Sequence, residues 1–138
     1  MKQIEPLTFV QNNPSHFFLE GKPDPIELAS NLASEVMILG ACKLFVVRHL
    51  NWWLIGSDLD WICNSGLDVE RYFSKLVPFP EAGPNSFRSG IFARVFAQSV
   101  SISVGGQWSP IKGGDSCGID LGAAEWVDFQ RVLAFEWQ

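Results

Sequence analysis

At 138 residues, 47% apolar and 18% charged, the chain has the length of one domain and is too apolar to remain disordered. Ten basic side chains against fifteen acidic ones give a net charge of −5 with no basic block, which argues against nucleic-acid binding. No apolar run approaches the length of a membrane span, no leader follows Met1–Glu5, and Cys42, Cys63 and Cys117 form neither a disulfide frame nor a C-x-x-C pair, so a reduced, cytoplasmic, soluble protein is expected.

The first 22 residues, with Pro6, Pro14 and the short apolar piece His16-Phe17-Phe18-Leu19, read as an irregular or extended lead-in. A helix start follows: Asp24 suits the N-cap, Pro25 the first helical position, and Glu27 the third, as in a capping box. Ile26, Ala29, Leu32, Ala33, Val36 and Met37 recur at helical spacing, and Gly40 marks the stop. Lys43–Arg48 is rich in β-branched and aromatic residues and predicts a strand. Trp52–Gly56 predicts a second strand, returning as a hairpin.

Asp68 predicts the cap of a short helix carrying Val69, Tyr72, Phe73 and Leu76, ended by Pro78 and Pro80. Pro78–Ser86, with three prolines, predicts a stiff loop. The next helix starts at Asn85 or Ser86 and carries Phe87, Ile91 and Val95; Gly90 within it points to close packing against a neighbour. Val100–Val104 alternates and predicts a half-buried strand. Gln107–Gly118 reads as a polar, glycine-rich loop, and Ala123–Ala134 as a terminal helix. The expected fold class is therefore α+β: a small antiparallel sheet with a hairpin, packed against three to four helices in a single domain spanning residues 1–138.

The aromatic run Asn51–Trp61 is the place to look for function. It ends in Ser57-Asp58-Leu59-Asp60-Trp61, two carboxylates one residue apart at a strand exit. Alternate residues of an extended segment share a side, so the pair suits a cation or a basic partner. Equally, Asp58 suits the cap of a short turn, with Asp60 adding favourable charge beside it. Two histidines without helical pairing, and no G-x-S-x-G elbow or phosphate-cradling glycine pattern, give no reason to expect a metal, a cofactor or nucleophilic catalysis. Asn85-Ser86-Phe87-Arg88 reads either as an anion site at a helix start or as the source of an arginine paired with Asp58 or Asp60.

These two stretches, together with the small, acidic, motif-poor character of the chain, resemble small bacterial immunity proteins that neutralise contact-delivered or polymorphic toxins. The resemblance implies a non-enzymatic protein that binds a cognate toxin domain stoichiometrically, with acids meeting basic residues of the toxin and aromatics serving as anchors. The candidate partner-binding residues are Asp58, Asp60, Trp61, Asp115 and Asp120. The competing expectation is a small-ligand-binding or hydrolytic pocket around Asp58, Asp60, Asn85 and Arg88. The surplus of aromatics, six tryptophans and eleven phenylalanines, also allows a homodimer.

Overall fold

The computed structural model describes residues 5–63, 67–105, 107–113 and 129–137. Within them lie four helices, α1 (Pro6–Asn12), α2 (Pro25–Ile38), α3 (Val69–Ser74) and α4 (Gly90–Phe96), and five strands. The strands are β1 (Leu44–His49), β2 (Trp52–Ser57), β3 (Ser99–Val104), β4 (Gln107–Lys112) and β5 (Arg131–Glu136). They form one antiparallel sheet in the order β1-β2-β5-β3-β4, so the last strand in sequence lies in the middle. This is the expected α+β class.

Residues paired across an antiparallel ladder share a face. The registers Val46↔Ile55, Ile55↔Leu133 and Leu133↔Ile102 therefore line up a single row across four strands. Ile55, Leu133 and Ile102 of that row meet the inward sides of the helices in the main core, with Leu28, Leu32, Val36, Tyr72, Phe73 and Ile91, while Val46 on the edge strand stays exposed. The opposite face carries a second cluster of Trp52, Leu54, Val132 and Ala134, with Phe45, Trp108 and Phe129 against it. Gly56 belongs to that face, where the Phe45 ring of the paired strand lies across it. A Cβ there would fall 1.8 Å from the ring, so the glycine is what admits the phenyl.

The helix caps follow the sequence. Asp24 accepts from the amides of Ile26 and Glu27, and Asp68 from that of Arg71 at 2.7 Å. Glu27, instead of closing a capping box, turns back to the Leu19 amide at 3.1 Å and fastens the lead-in to α2. Gly40, at φ 96°, ends α2 as expected. The hairpin β1–β2 also forms, its turn placing Leu50 at φ 55°.

Four expectations need correction. The lead-in is partly helical: Glu5 caps α1 by accepting from Leu7 and Thr8, and Pro6 takes the first helical position. Gln107–Lys112 is strand β4 rather than loop; it is an edge strand, where Pro110 removes no needed ladder bond. Arg131–Ala134 is the start of strand β5 rather than the end of a helix. Every residue from Arg131 to Phe135 is buried, because the central strand has packing on both faces, and the alternation that would identify it is absent. Finally, α4 begins at Gly90, later than expected, with Ser89 as its N-cap.

Candidate functional site

The inward stripe of α2 is Leu28, Ala29, Leu32, Glu35 and Val36. An acid in a core stripe is the informative exception to apolar burial. Glu35 is only 2% exposed, and three segments converge on its carboxylate. The Tyr72 hydroxyl of α3 donates to Oε2 at 2.5 Å, and the Ser89 amide at the head of α4 donates to Oε1 at 2.9 Å. The Arg88 guanidinium stands 3.8 Å from Oε2. Tyr72 in turn accepts from the indole N–H of Trp61 at 3.1 Å, and Arg88 donates to the Trp61 carbonyl at 3.3 Å. Arg88 also lies over the face of Phe79, 4.5 Å from its centroid.

Burial is the largest influence on Glu35. It outweighs the Tyr72 hydroxyl, the Ser89 amide and the Arg88 charge, and raises the carboxyl to about 7. Burial, then the neighbouring Glu35 charge, also holds the Tyr72 phenol well above its ordinary value, so Tyr72 remains the donor of the pair.

Glu35 also lines a cleft of about 470 Å³ between α2 and the loop that runs from Phe79 to Ser89. Phe17, Phe79, Phe87 and Phe92 supply apolar walls, while the exposed His16, Asn31, Ser34 and Asn85 line its open side. The loop is held in shape by the bridge between Pro78 and Phe87, by Phe79 N–H to the Ser86 carbonyl at 2.8 Å, and by Arg88 N–H to the Val77 carbonyl at 2.8 Å. Asn85 sits at its tip at φ 64°, a left-handed conformation that asparagine tolerates better than most residues.

The residues singled out from sequence lie elsewhere. Asp58 Oδ1 accepts from the amides of Cys42 and Lys43, both at 3.1 Å, and joins the start of β1 to the end of β2. Asp60 forms a two-bond pair with the guanidinium of Arg131, 2.9 Å for each bond. Burial pushes the Asp60 carboxyl up, but Arg131 and the amides of Cys63 and Ile62 more than offset it and leave it lowered. Trp61, expected as a partner-facing anchor, has a fully buried ring. Asp115 and Asp120 fall outside the described residues.

The expected pairing of Arg88 with Asp58 or Asp60 is not formed: Arg88 faces Glu35, and Asp60 takes Arg131. The anion expected beside Asn85–Arg88 is present as a side chain of the chain itself, the Glu35 carboxylate on the Ser89 amide. Of the four residues proposed for a pocket, Asn85 lines the cleft and Arg88 lines the neighbouring hollow with Arg71, whereas Asp58 and Asp60 are bound to β1 and β5. The residue that sequence reasoning missed is Glu35. Its signal was its spacing, three after Leu32 and seven after Leu28, directly before Val36.

Among the described residues no group of three or more His, Cys, Asp or Glu side chains is placed to hold a metal ion, and no helix is long and apolar enough to cross a membrane. Set beside known proteins, the chain matches no family model, no curated protein and no solved structure.

Proposed function

We propose that this chain is a non-enzymatic binding protein of the immunity kind, acting in the cytoplasm by stoichiometric capture of a cognate toxin domain. One observation carries the reading: the outer face of α2 is nearly free of charge. Its exposed residues are Ile26, Ser30, Asn31, Ser34, Met37 and Ile38; Glu27, half-buried on the same side, is its one charged residue and is tied to the Leu19 amide, while Glu35 is turned into the core. The solvent face of a surface helix normally carries charged side chains. Depletion of charge with retained methionine and aliphatic residues marks the centre of a protein interface. Asn31, Ser34 and Ile38 make the face continuous with the cleft, which offers a socket for an anchoring side chain. The net charge of −5 favours a basic partner, with Asp115 and Asp120 as further candidates to meet it.

The test uses the full chain as bait in lysate of its native host, with Ser30→Lys/Met37→Lys as the control. Both positions are exposed and lie outside the cleft. The expected result is a basic protein captured one-to-one by the natural chain and lost with the double variant at unchanged thermal midpoint. Capture that is indifferent to the two lysines overturns the reading, as does a native chain that binds only itself.

A further inference from the structure

We infer that the cleft between α2 and the Phe79–Ser89 loop is a site for a cationic group, a primary ammonium or a guanidinium, with Glu35 as its counter-ion. The inference rests on the cleft being a recognition site, and it supplies the chemistry of what enters.

Two acids of the molecule show the contrast that matters. Asp60 has a matched two-bond ion pair, both bonds 2.9 Å to one guanidinium. Glu35 is more deeply buried and less well matched: its nearest cation is 3.8 Å away, beyond hydrogen-bonding distance, and that arginine spends its Nη1 bond on a carbonyl. Among the described residues Glu35 Oε1 accepts one hydrogen bond, from Ser89, and a carboxylate oxygen takes two. Burial with incomplete pairing is the condition that raises its proton affinity to about 7.

The surroundings select the sign of the missing group. No lysine or arginine lines the cleft, and the titratable side chains there are Glu35 and His16. The groups that face Glu35 from the packed elements are Tyr72 on α3, Arg88 ahead of α4 and, among the cleft residues, His16. An anion would meet the Glu35 carboxylate without an opposing charge in the cleft. A cation meets that carboxylate, the acceptor oxygens of Ser34 and Asn85, and phenyl rings, whose π-systems attract positive charge. The chain already uses this chemistry once, where Arg88 rests on Phe79 beside the same acid. A partner's lysine or arginine side chain has the reach and the head group to repeat it from the open side.

The experiment follows the Glu35 side-chain carboxyl carbon by NMR in the intact natural chain, with n-butylammonium and methylguanidinium as probes and n-butanol as the neutral control. The cations are expected to shift Asn31, Ser34 and Asn85 signals, to move the Glu35 titration below about 7, and to bind about tenfold more tightly at pH 8 than at pH 6, the ratio of ionised Glu35 at the two values. Equal binding of n-butanol, or a Glu35 titration that the cations leave in place, overturns the inference. Because it uses the natural chain, the measurement does not depend on any variant folding. It also stands apart from the capture experiment: loss of toxin capture with an intact amine site, or the converse, identifies which reading has failed.

Discussion

Tyr72 lies against Gly90 so closely that a Cβ on the glycine would fall 2.2 Å from two carbons of the ring and 2.9 Å from the Tyr72 carbonyl oxygen. The contact seats α3 on the head of α4 and holds the phenol where it reaches Glu35. Alanine is the better helix former by about 1 kcal/mol, yet here it displaces a buried ring and meets backbone that cannot swing aside. Gly90→Ala is therefore expected to destabilise the chain by about 2 kcal/mol net, read as a lower urea midpoint at unchanged slope. A neutral or stabilising result would mean that α3 and α4 are not packed in this way.

Glu35 gives stability an unusual slope with pH. Its folded value, about 7, lies above the ordinary glutamate value of 4.5, so between 4.5 and about 7 the folded chain binds the extra proton. Its contribution is fully present at low pH and declines as pH rises through that window, by up to about 3 kcal/mol. Chemical denaturation at a series of pH values is expected to show this decline in the natural chain and not in Glu35→Gln. A Glu35→Gln profile parallel to the natural one would sink the assignment.

Asp60 behaves in the opposite sense. Its carboxyl is lowered, so its stabilisation is present above the ordinary aspartate value near 4 and is lost as pH falls through and below it. Arg131 is 5% exposed, and removing its partner leaves a buried unpaired charge. Asp60→Ala is expected to cost about 2–4 kcal/mol, whereas Asp60→Leu combined with Arg131→Met costs clearly less because no lone charge remains. A double-mutant cycle by denaturant titration decides the point; strictly additive costs would show that the pair is not coupled.

The limits of reading this fold from sequence are local and physical. Asp24-Pro25 and Asp68 fixed two helix starts because their side chains act on neighbours two or three residues away. Glu5 escaped notice because glutamate is not a preferred N-cap, although Pro6 beside it was a visible marker. Strand β5 was hidden by its own burial: Val132 and Ala134 face one cluster, Leu133 and Phe135 the other, and a run buried on both sides resembles a helix segment. The pair Asp58 and Asp60 drew attention through a shared spacing; the Cys63 amide on Asp60 is a local partner, but the Cys42 and Lys43 amides and Arg131 lie 15 to 71 residues away. Which acid is spent on structure and which faces a cleft is decided by those distant contacts.

Asp58 separates a structural role from a recognition role most directly. Its Oδ1 holds the Cys42 and Lys43 amides, and its own N–H donates to the Lys43 carbonyl at 3.3 Å, so it clasps the entry of β1 to the exit of β2. Cys42 and Lys43 are exposed, and water takes over their amides when the carboxylate is removed. Asp58→Ala is therefore expected to cost only about 1 kcal/mol, and Asp58→Asn, which keeps an acceptor oxygen, less than that. Capture of the partner by Asp58→Asn should match the natural chain, in contrast to its loss in Ser30→Lys/Met37→Lys. Affinity that falls tenfold or more in Asp58→Asn at unchanged stability would return the recognition surface to the strand exit, with the Asp58 charge rather than the α2 face meeting the partner.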